Sequence, residues 1–244
     1  MRYFFFLVFA FIWPQQIVDL YLPKEFVVWN IGQGQWTTWI DSPTCHHFDI
    51  GGEFNASNKV LQRCQKLENR IYISHWDRDH WSFLPAFTRM TRKACLYPPT
   101  YGTPPPILKK TLSLLPNCST LDANLALIYS GTPSKKIEKN PNSQVFLIQA
   151  PRILIPGDST IPDEKKWVRF VSNQALLGWV LGHHGSKTST SEQSLNHFKS
   201  VQWVVASSRF KRYGHPHGKV VALLRKKRIP LLKTEDWGDL HFIF

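Results

Sequence analysis

The sequence lacks the motifs that mark several common enzyme classes. It contains no G-x-x-x-x-G-K-[ST] phosphate-binding loop and no G-x-G-x-x-G dinucleotide fingerprint, so nucleotide-driven chemistry is disfavoured. No segment recurs at a fixed period, which argues against a solenoid or a propeller. The cysteines show no C-x-x-C spacing, and this argues against a zinc ribbon or a thioredoxin-like redox site.

The cysteines that are present leave two states open. In an oxidising compartment four thiols could form two disulfides in any of three connectivities, whereas buried free thiols are the alternative. The spacing alone does not choose between these states. The residues concerned are Cys45, Cys64, Cys95 and Cys118.

Long hydrophobic runs are also scarce. The apolar run at residues 3–13 is too short to span a bilayer comfortably, but Arg2 precedes it as in a secretory signal. No A-x-A cleavage site follows, so residues 1–20 are interpreted as a signal peptide or a short membrane anchor, with a buried first strand as the alternative. We therefore expect an exported protein, periplasmic or extracellular, which an uncleaved segment would anchor to the inner membrane.

Length and composition favour one globular domain over residues 21–244. A hydrophobic fraction of 43%, with 14% aromatic residues, is ample for a buried core. The formal net charge is +13 and the pI is near 9.7, so the surface should attract polyanions. Nucleic acid, anionic lipid headgroups and phosphorylated polymers all fit this charge.

Strand and helix patterns alternate along the chain. Residues 26–40 alternate apolar and polar side chains around a glycine-rich turn, which predicts a hairpin with strands near Val27 and Thr38. Helical spacing at residues 58–67 precedes a short apolar strand at residues 70–74, and a Pro-rich surface excursion follows at 97–110. Further strands are predicted within 144–149, 152–158, 179–185 and 203–208, with a helix over 218–228. The pattern predicts a mixed α/β (α+β) fold.

The segment S-H-W-D-R-D-H at residues 74–80 carries the most chemical information. It places two imidazoles and two carboxylates directly after a predicted strand, and such crowding is costly without a cation. A solvated turn is the alternative. Other predicted strands end near Asp158 and near the pair His183 and His184, and a sheet can aim such residues at one point. Together these segments predict a metal centre.

The order of the motifs resembles the hydrolase domain of ComEC-family DNA-uptake proteins, which have the metallo-β-lactamase fold. The motifs are N-I-G-Q-G-Q, F-D-I-G-G, S-H-W-D-R-D-H, N-S at residues 142–143, P-G-D-S, L-G-H-H-G-S-K-T-S-T-S and Y-G-H-P-H. The resemblance implies a four-layer αββα sandwich with one or two divalent ions, Zn or Mn, at one edge, and Asp158 as the bridge between two ions. The metal ligands that it implies are His75, Asp77, Asp79, His80, Asp158 and His183.

Three departures from the family pattern bear on the site. Gln35 stands where the family usually has Asp, and Ser82 and Phe83 replace a glycine pair. No histidine lies between His80 and His183, although many relatives place one in that interval. These departures put full occupancy of one metal position in question and predict a reshaped site entrance.

The chemistry that such a centre performs is hydrolysis. We expect Asp79 to orient the attacking hydroxide and His215 to protonate the leaving group or to contact phosphate, with a packing role as the alternative for His215. Trp76 and Trp81 flank the metal motif and either stack on unpaired bases or belong to the core. The predicted contacts to the phosphodiester are Ser186, Lys187, Arg209, Lys211 and Arg212, whereas residues 225–228 are expected to cap a helix.

The resulting hypothesis is an exported metal-dependent phosphodiesterase that acts on DNA, with single strands preferred. Because the resemblance covers only the hydrolase part of ComEC-type proteins, the chain is expected either to partner with a membrane DNA-uptake channel or to act as a separate nuclease. Two alternatives remain. One is a hydrolase of another phosphoester, such as a lipid headgroup or a wall polymer. The other is a DNA-binding module that has lost turnover.

Overall fold

A computed structural model describes residues 23–133 and 140–244. The predicted signal or anchor segment at residues 1–20 lies outside the described residues, so its assignment stays a prediction. Within the described ranges, no helix combines the length and the apolar character that crossing a membrane requires.

Twelve strands of the described residues form two six-stranded sheets. The first sheet has the order β12-β1-β2-β3-β4-β5, and the second has the order β11-β10-β9-β8-β7-β6. Strand β12 pairs with β1, so the end of the chain closes the first sheet. The strands are β1 Glu25–Val28, β2 Thr37–Asp41, β3 Thr44–Phe48, β4 Glu68–Tyr72, β5 Ala94–Tyr97, β6 Leu125–Tyr129, β7 Val145–Ile148, β8 Ile153–Ile155, β9 Leu176–Val180, β10 Val201–Ala206, β11 Leu231–Lys233 and β12 Leu240–Ile243.

Helices lie between the strands of both sheets. Short 3-10 helices lie between some of these elements, and one of them is at Gly182–Gly185. The α-helices are α1 Ser57–Cys64, α2 Arg78–Trp81, α3 Leu84–Met90, α4 Lys109–Leu114, α5 Ile161–Trp167, α6 Glu192–His197, α7 Phe210–Tyr213, α8 Gly218–Lys226 and α9 Thr234–Trp237.

Three hydrophobic clusters show that the elements stack in four layers. Phe48 and Tyr72 of the first sheet meet Phe146 and Val205 of the second in the central cluster. A second cluster joins the other face of the first sheet to α1, α3 and the segment before α4. A third joins the second sheet to α5, α6 and α8. This confirms the predicted αββα sandwich, because each sheet buries one face against its partner and the other against helices.

The predicted elements agree with the structure, with small shifts at their ends. Strands β1 and β2 form the expected hairpin, in which Val27 is paired with Thr38. The helix predicted over 58–67 is α1, and the strand predicted over 70–74 is β4, which begins and ends two residues earlier. Helix α8 carries Arg225 and Lys226 in its last turn, where cations stabilise the helix dipole.

The cysteines form two disulfides, one between Cys45 and Cys64 and one between Cys95 and Cys118. The first joins β3 to α1. The second ties β5 to the segment that follows α4. The pairing resolves the alternative left open by the sequence, and it also removes a second ligand cluster. Cys45 and Cys64 lie close to His47, but sulfurs in a disulfide have no thiolate to offer a metal.

His47 instead lies at the centre of a chain of buried hydrogen bonds. Trp29 Nε1 donates to Thr38 Oγ1, which lies 3.0 Å from His47 Nδ1. On the other side His47 Nε2 lies 2.9 Å from Asn69 Oδ1, an acceptor, so Nε2 carries the proton. Burial lowers the pKa of His47 to about 4, and the ring is therefore neutral at physiological pH.

Acidification is expected to destabilise the fold through His47. Above its ordinary pKa of 6.5 the ring is neutral in both folded and unfolded chains; as the pH falls towards 4 only the unfolded chain takes up the proton. The free energy of unfolding should therefore drop by about 2 kcal/mol between pH 7.5 and 5.0 from this residue. Urea unfolding of the parent and of His47→Gln, which cannot titrate, would measure it. Equal losses in both proteins would contradict the assignment.

Candidate metal centre

The sheets bring the polar motifs together at one edge. The loop after β4 carries His75 and Asp77, and the short helix α2 that follows carries Asp79 and His80. In the other sheet β8 and β9 run parallel, so the segments that follow them leave at the same edge. One of these segments supplies Asp158 and the other supplies His183 and His184.

Asp158 lies at the centre of the cluster. Its Oδ1 atom is 3.1 Å from His80 Nε2 and 3.7 Å from His184 Nε2. Its Oδ2 atom is 3.9 Å from His75 Nε2 and 3.8 Å from His183 Nε2. The two oxygens of one carboxylate thus face two different pairs of imidazoles, so Asp158 would serve as a ligand together with either pair.

The remaining carboxylates lie at opposite ends of this cluster. Asp77 Oδ2 is 3.4 Å from His75 Nε2, and Asp79 Oδ2 is 3.1 Å from His184 Nε2. The cluster contains two groups of three residues, and within each group the potential ligand atoms lie within 4.8 Å of one another. The first group is His75, His80 and Asp158, and the second is Asp79, His80 and His184.

Three of these atoms are buried without a hydrogen-bond partner: His75 Nε2, His80 Nε2 and Asp158 Oδ1. Although His80 Nε2 and Asp158 Oδ1 are close, they are not aligned for a hydrogen bond. A buried polar atom that lacks a partner costs free energy, and three that converge on one point suit a shared cation. Imidazole nitrogen and carboxylate oxygen are donors that Zn²⁺ and Mn²⁺ both accept. The residues therefore fit a divalent metal.

All six predicted ligands lie in this cluster, and His184 joins them. The sequence analysis assigned only His183 of the pair as a ligand, but the ring of His184 is the more buried and lies beside Asp79. Both histidines have left-handed backbones, with φ of 49° and 55°. Such conformations are strained for residues other than glycine, and they turn both rings towards Asp158.

Asp49, which the sequence analysis did not select, holds His80 in place. Its Oδ2 atom lies 2.8 Å from His80 Nδ1, and Ser74 donates to both carboxylate oxygens. This contact leaves His80 Nε2 directed into the cluster, as the second-layer carboxylates of metal sites do. The motif F-D-I-G-G contains Asp49, so its position after a strand was the available signal.

The departures at Gln35 and Ser82 both support the loop that carries Asp49. Gln35 is buried, and its Nε2 donates to Asp49 Oδ2 at 2.9 Å. Ser82 Oγ accepts from Gly52 N at 3.0 Å and so fixes the loop that carries Asp49. For Gln35 the expectation of a reshaped entrance is wrong, because the side chain is buried against Asp49. Ser82 and Phe83 line a cleft beside Asp79, so for them it stays a prediction.

Gly51 allows the support loop to approach α2 closely. A Cβ atom on Gly51 would lie 2.5 Å from His80 N and from Trp81 N. That distance is well inside van der Waals contact, so only glycine fits here. The N-S motif has a similar supporting role, since Asp158 N donates to Ser143 Oγ at 3.1 Å.

The charges in the cluster offset one another. Burial favours the neutral form of Asp158, but the nearby imidazoles, His80 first, hold its pKa well below the ordinary value. Burial also opposes protonation of His80 and His184, but Asp158 outweighs it and raises the pKa of both rings. The carboxylate of Asp158 is therefore ionised, as metal binding requires, and a bound cation would replace the protons on the two imidazoles.

The residues that were predicted to act on a substrate differ in their exposure and contacts. His215 lies near His183, with ring centroids 6.0 Å apart, and its Nδ1 atom is buried without a hydrogen-bond partner. Ser186 is buried and bonds within its own turn, with Ser186 Oγ 3.0 Å from Thr188 Oγ1, whereas Lys187 is exposed. Their roles towards a substrate stay predictions.

The basic residues before His215 surround an acidic one. Arg209 and Arg212 both form ion pairs with Glu53, at 3.2 and 2.7 Å, while Lys211 is exposed on α7. Tyr213 also donates to Glu53, at 3.1 Å. Glu53 therefore neutralises part of the predicted positive charge. The sequence pattern did not identify this partner because Glu53 is far from the arginines along the chain.

The tryptophans that flank the metal motif belong to the core. Trp76 and Trp81 are 4% and 9% exposed, and Trp81 Nε1 donates to the backbone oxygen of Trp76. The core interpretation is confirmed, and base stacking on these two rings is ruled out by their burial.

Comparison with known proteins agrees with this geometry. ComE operon protein 3 of Bacillus subtilis is 36% identical over 106 residues, 43% of this chain and 14% of that protein. Competence protein ComA of Neisseria gonorrhoeae is 37% identical over 112 residues, 44% of this chain and 16% of that protein. The matches thus cover less than half of the chain and a small part of each relative. No protein-family model matches the chain.

A solved structure covers much more of the chain. The metallo-β-lactamase fold protein YhfI of Bacillus subtilis superposes over 91% of this chain and all of its own, with a TM-score of 0.59 and 8% identity. At that identity the likeness concerns the fold alone. The chain therefore has the metallo-β-lactamase fold, and part of its sequence is similar to competence proteins.

Proposed function

We propose that this chain is an exported metal-dependent phosphodiesterase that hydrolyses DNA. The observation that carries the proposal is the convergence of His75 Nε2, His80 Nε2 and Asp158 Oδ1, all buried and none with a hydrogen-bond partner. Buried polar atoms without partners cost free energy, and three that converge on one point suit a shared cation. The proposed ligands are the six residues of the sequence prediction together with His184.

A divalent cation at this site would supply a nucleophile at neutral pH and charge stabilisation for the phosphoryl oxygens. Asp79 is proposed to orient the attacking water, because its carboxylate is ionised and its position is fixed by His184. Burial lowers the pKa of His215 to about 4. A neutral ring suits a hydrogen bond to a phosphate oxygen, the second of its two predicted roles.

DNA is the proposed substrate for two independent reasons. The net charge of +13 attracts a polyanion. The similar proteins are named for competence and recombination, Recombination protein 2 of Haemophilus influenzae among them. Both reasons fit a strand delivered by a membrane channel, which is the proposed partner.

Export is supported by the two disulfides, because such bonds persist in oxidising compartments. A reporter enzyme that folds only in an oxidising compartment, fused after Phe244, should be active in cells. An inactive reporter, with the fusion protein present, would contradict export.

Degradation of end-labelled DNA tests the enzymatic proposal. After chelation, purified protein should cut DNA only when Mn²⁺ or Zn²⁺ is added, and it should cut single strands faster than duplexes. An Asp158→Ala variant controls for contaminating nucleases. Metal binding without DNA cleavage would contradict the proposal and point to another phosphoester. DNA binding with neither metal nor cleavage would instead indicate a binding module.

A further inference from the structure

A cleft opens beside the metal centre on the side of Asp79. Its volume is about 570 Å³, within the range of pockets that hold small organic ligands. Asp79 and Tyr213, the last residue of α7, both line it. The residues that line it are Gln33, Gly52, Glu53, Arg78, Asp79, Ser82, Phe83, Arg212 and Tyr213.

Tyr213 lines this cleft, and the guanidinium of Arg212 lies 5.2 Å from its ring centre, so a base would stack on the ring face that Arg212 leaves open. The side chain is 42% exposed, yet its hydroxyl donates to Glu53 Oε1 at 3.1 Å. Glu53 is itself held by Gln33 N and by the two arginines of the α7 region. An exposed ring that is already ordered loses little entropy when a flat group stacks on it.

Three arginines lie in or beside the wall around Tyr213. Arg78 and Arg212 line the cleft, and Arg209 lies just outside it with its guanidinium 5.4 Å from the ring centre of Phe54. Glu53 and Asp79 bring two negative charges against the three arginines, so one positive charge is in excess. Phe54 is itself 50% exposed. Aromatic faces interleaved with arginines are the chemistry that binds a single nucleic-acid strand.

From this geometry we infer that the cleft binds an unpaired nucleotide of a DNA strand, with its base stacked on Tyr213 and the neighbouring phosphates contacted by Arg78 and Arg212. This inference rests on the proposed function. A base that is still stacked in a duplex cannot offer its face to Tyr213, so the cleft selects single strands. The same contacts would lead the adjoining phosphodiester towards Asp79.

Affinity for strands with and without bases separates stacking from charge. The test uses chelated full-length protein, a labelled thymidine oligonucleotide and an abasic oligonucleotide of equal length, with binding followed by fluorescence anisotropy. Tyr213→Leu should weaken binding of the thymidine strand about tenfold or more and leave the abasic strand unchanged. Arg212→Gln should weaken binding of both strands, because it removes a phosphate contact.

Two further variants keep the test falsifiable. Tyr213→Phe retains the ring and should bind the thymidine strand far better than Tyr213→Leu. Phe170→Leu is the matched control, since Phe170 is 62% exposed beneath Arg169 but lies outside the cleft, and it should bind as the parent does. The inference is overturned if Tyr213→Leu binds the thymidine strand normally, or if it loses both strands equally.

A separate measurement distinguishes failure of the proposed hydrolase function from failure of base stacking on Tyr213. Metal-loaded parent protein should hydrolyse bis(4-nitrophenyl) phosphate, a diester without a nucleobase. If it cleaves neither this diester nor DNA, the proposed function fails, while the anisotropy comparison still decides whether Tyr213 stacks on bases.

Discussion

Asp158→Asn is expected to lower kcat/KM for phosphodiester hydrolysis about a thousandfold and to reduce bound metal sharply. The amide is nearly the same size as the carboxylate, but it lacks the charge and the second oxygen that face the two pairs of imidazoles. Several kcal/mol of charge stabilisation are lost, and each 1.4 kcal/mol is a factor of ten in rate. Steady-state kinetics and elemental analysis of the purified variant measure both effects.

Asp163→Asn is the matched control for this experiment. Asp163 is as buried as Asp158, at 3% exposure, but it bonds to Thr160 and Lys166 outside the cluster. The control should keep its metal and its rate, even if it melts earlier. An Asp158→Asn protein that retains the parental metal content and rate would show that the cluster is not the catalytic centre.

The second large effect is expected at Asp49, a residue too deep to contact substrate. Asp49→Asn should weaken metal affinity about 10- to 100-fold, as loss of a carboxylate behind a metal-bound histidine does. The physical reason is the contact with His80 Nδ1 at 2.8 Å, since an amide NH₂ at that position would meet donors from Ser74 and Gln35. Competition with a fluorescent chelator measures the affinity.

The stability of the chelated protein distinguishes positioning from folding. If Asp49 acts by orienting His80, the loss of metal affinity should exceed what the variant's loss of stability explains. Urea unfolding of the chelated parent and variant measures that loss of stability. Saturating metal should then restore much of the turnover. Unchanged affinity would remove Asp49 from the account of the site.

The sequence contained most of the site because its residues lie in dense, ordered motifs. Asp77, Asp79 and His80 are separated by so few positions that any strand preceding them delivers all three together. Asp158 followed a strand with a clear apolar pattern, and β8 does end three residues before it. Local patterning was sufficient in these cases.

Other features depended on backbone angles and register that patterning does not encode. The addition of His184 to His183 as a ligand rests on two successive left-handed residues. Asp49 follows a strand in the F-D-I-G-G motif, but its place beside His80 depends on the parallel register of β3 and β4, in which Phe48 is paired with Tyr72 and Asp49 N donates to Tyr72 O. A sequence has no periodic signal for either.

Long-range partners were beyond prediction for a different reason. Glu53 neutralises Arg209 and Arg212 across more than 150 positions of sequence, and nothing near either arginine indicates an acidic partner. Position in the sequence was also a poor guide to which aromatic rings lie exposed at the site. Trp76 and Trp81 adjoin the motif but are buried, whereas Tyr213 is distant in sequence and lines the cleft.

The most direct test of the metal centre is anomalous scattering from crystals grown with Mn²⁺. The account predicts one or two strong anomalous peaks in contact with Asp158, and no peak there in crystals of Asp158→Asn. Peaks located elsewhere, or none at the cluster in a protein that still cleaves DNA, would contradict the central claim.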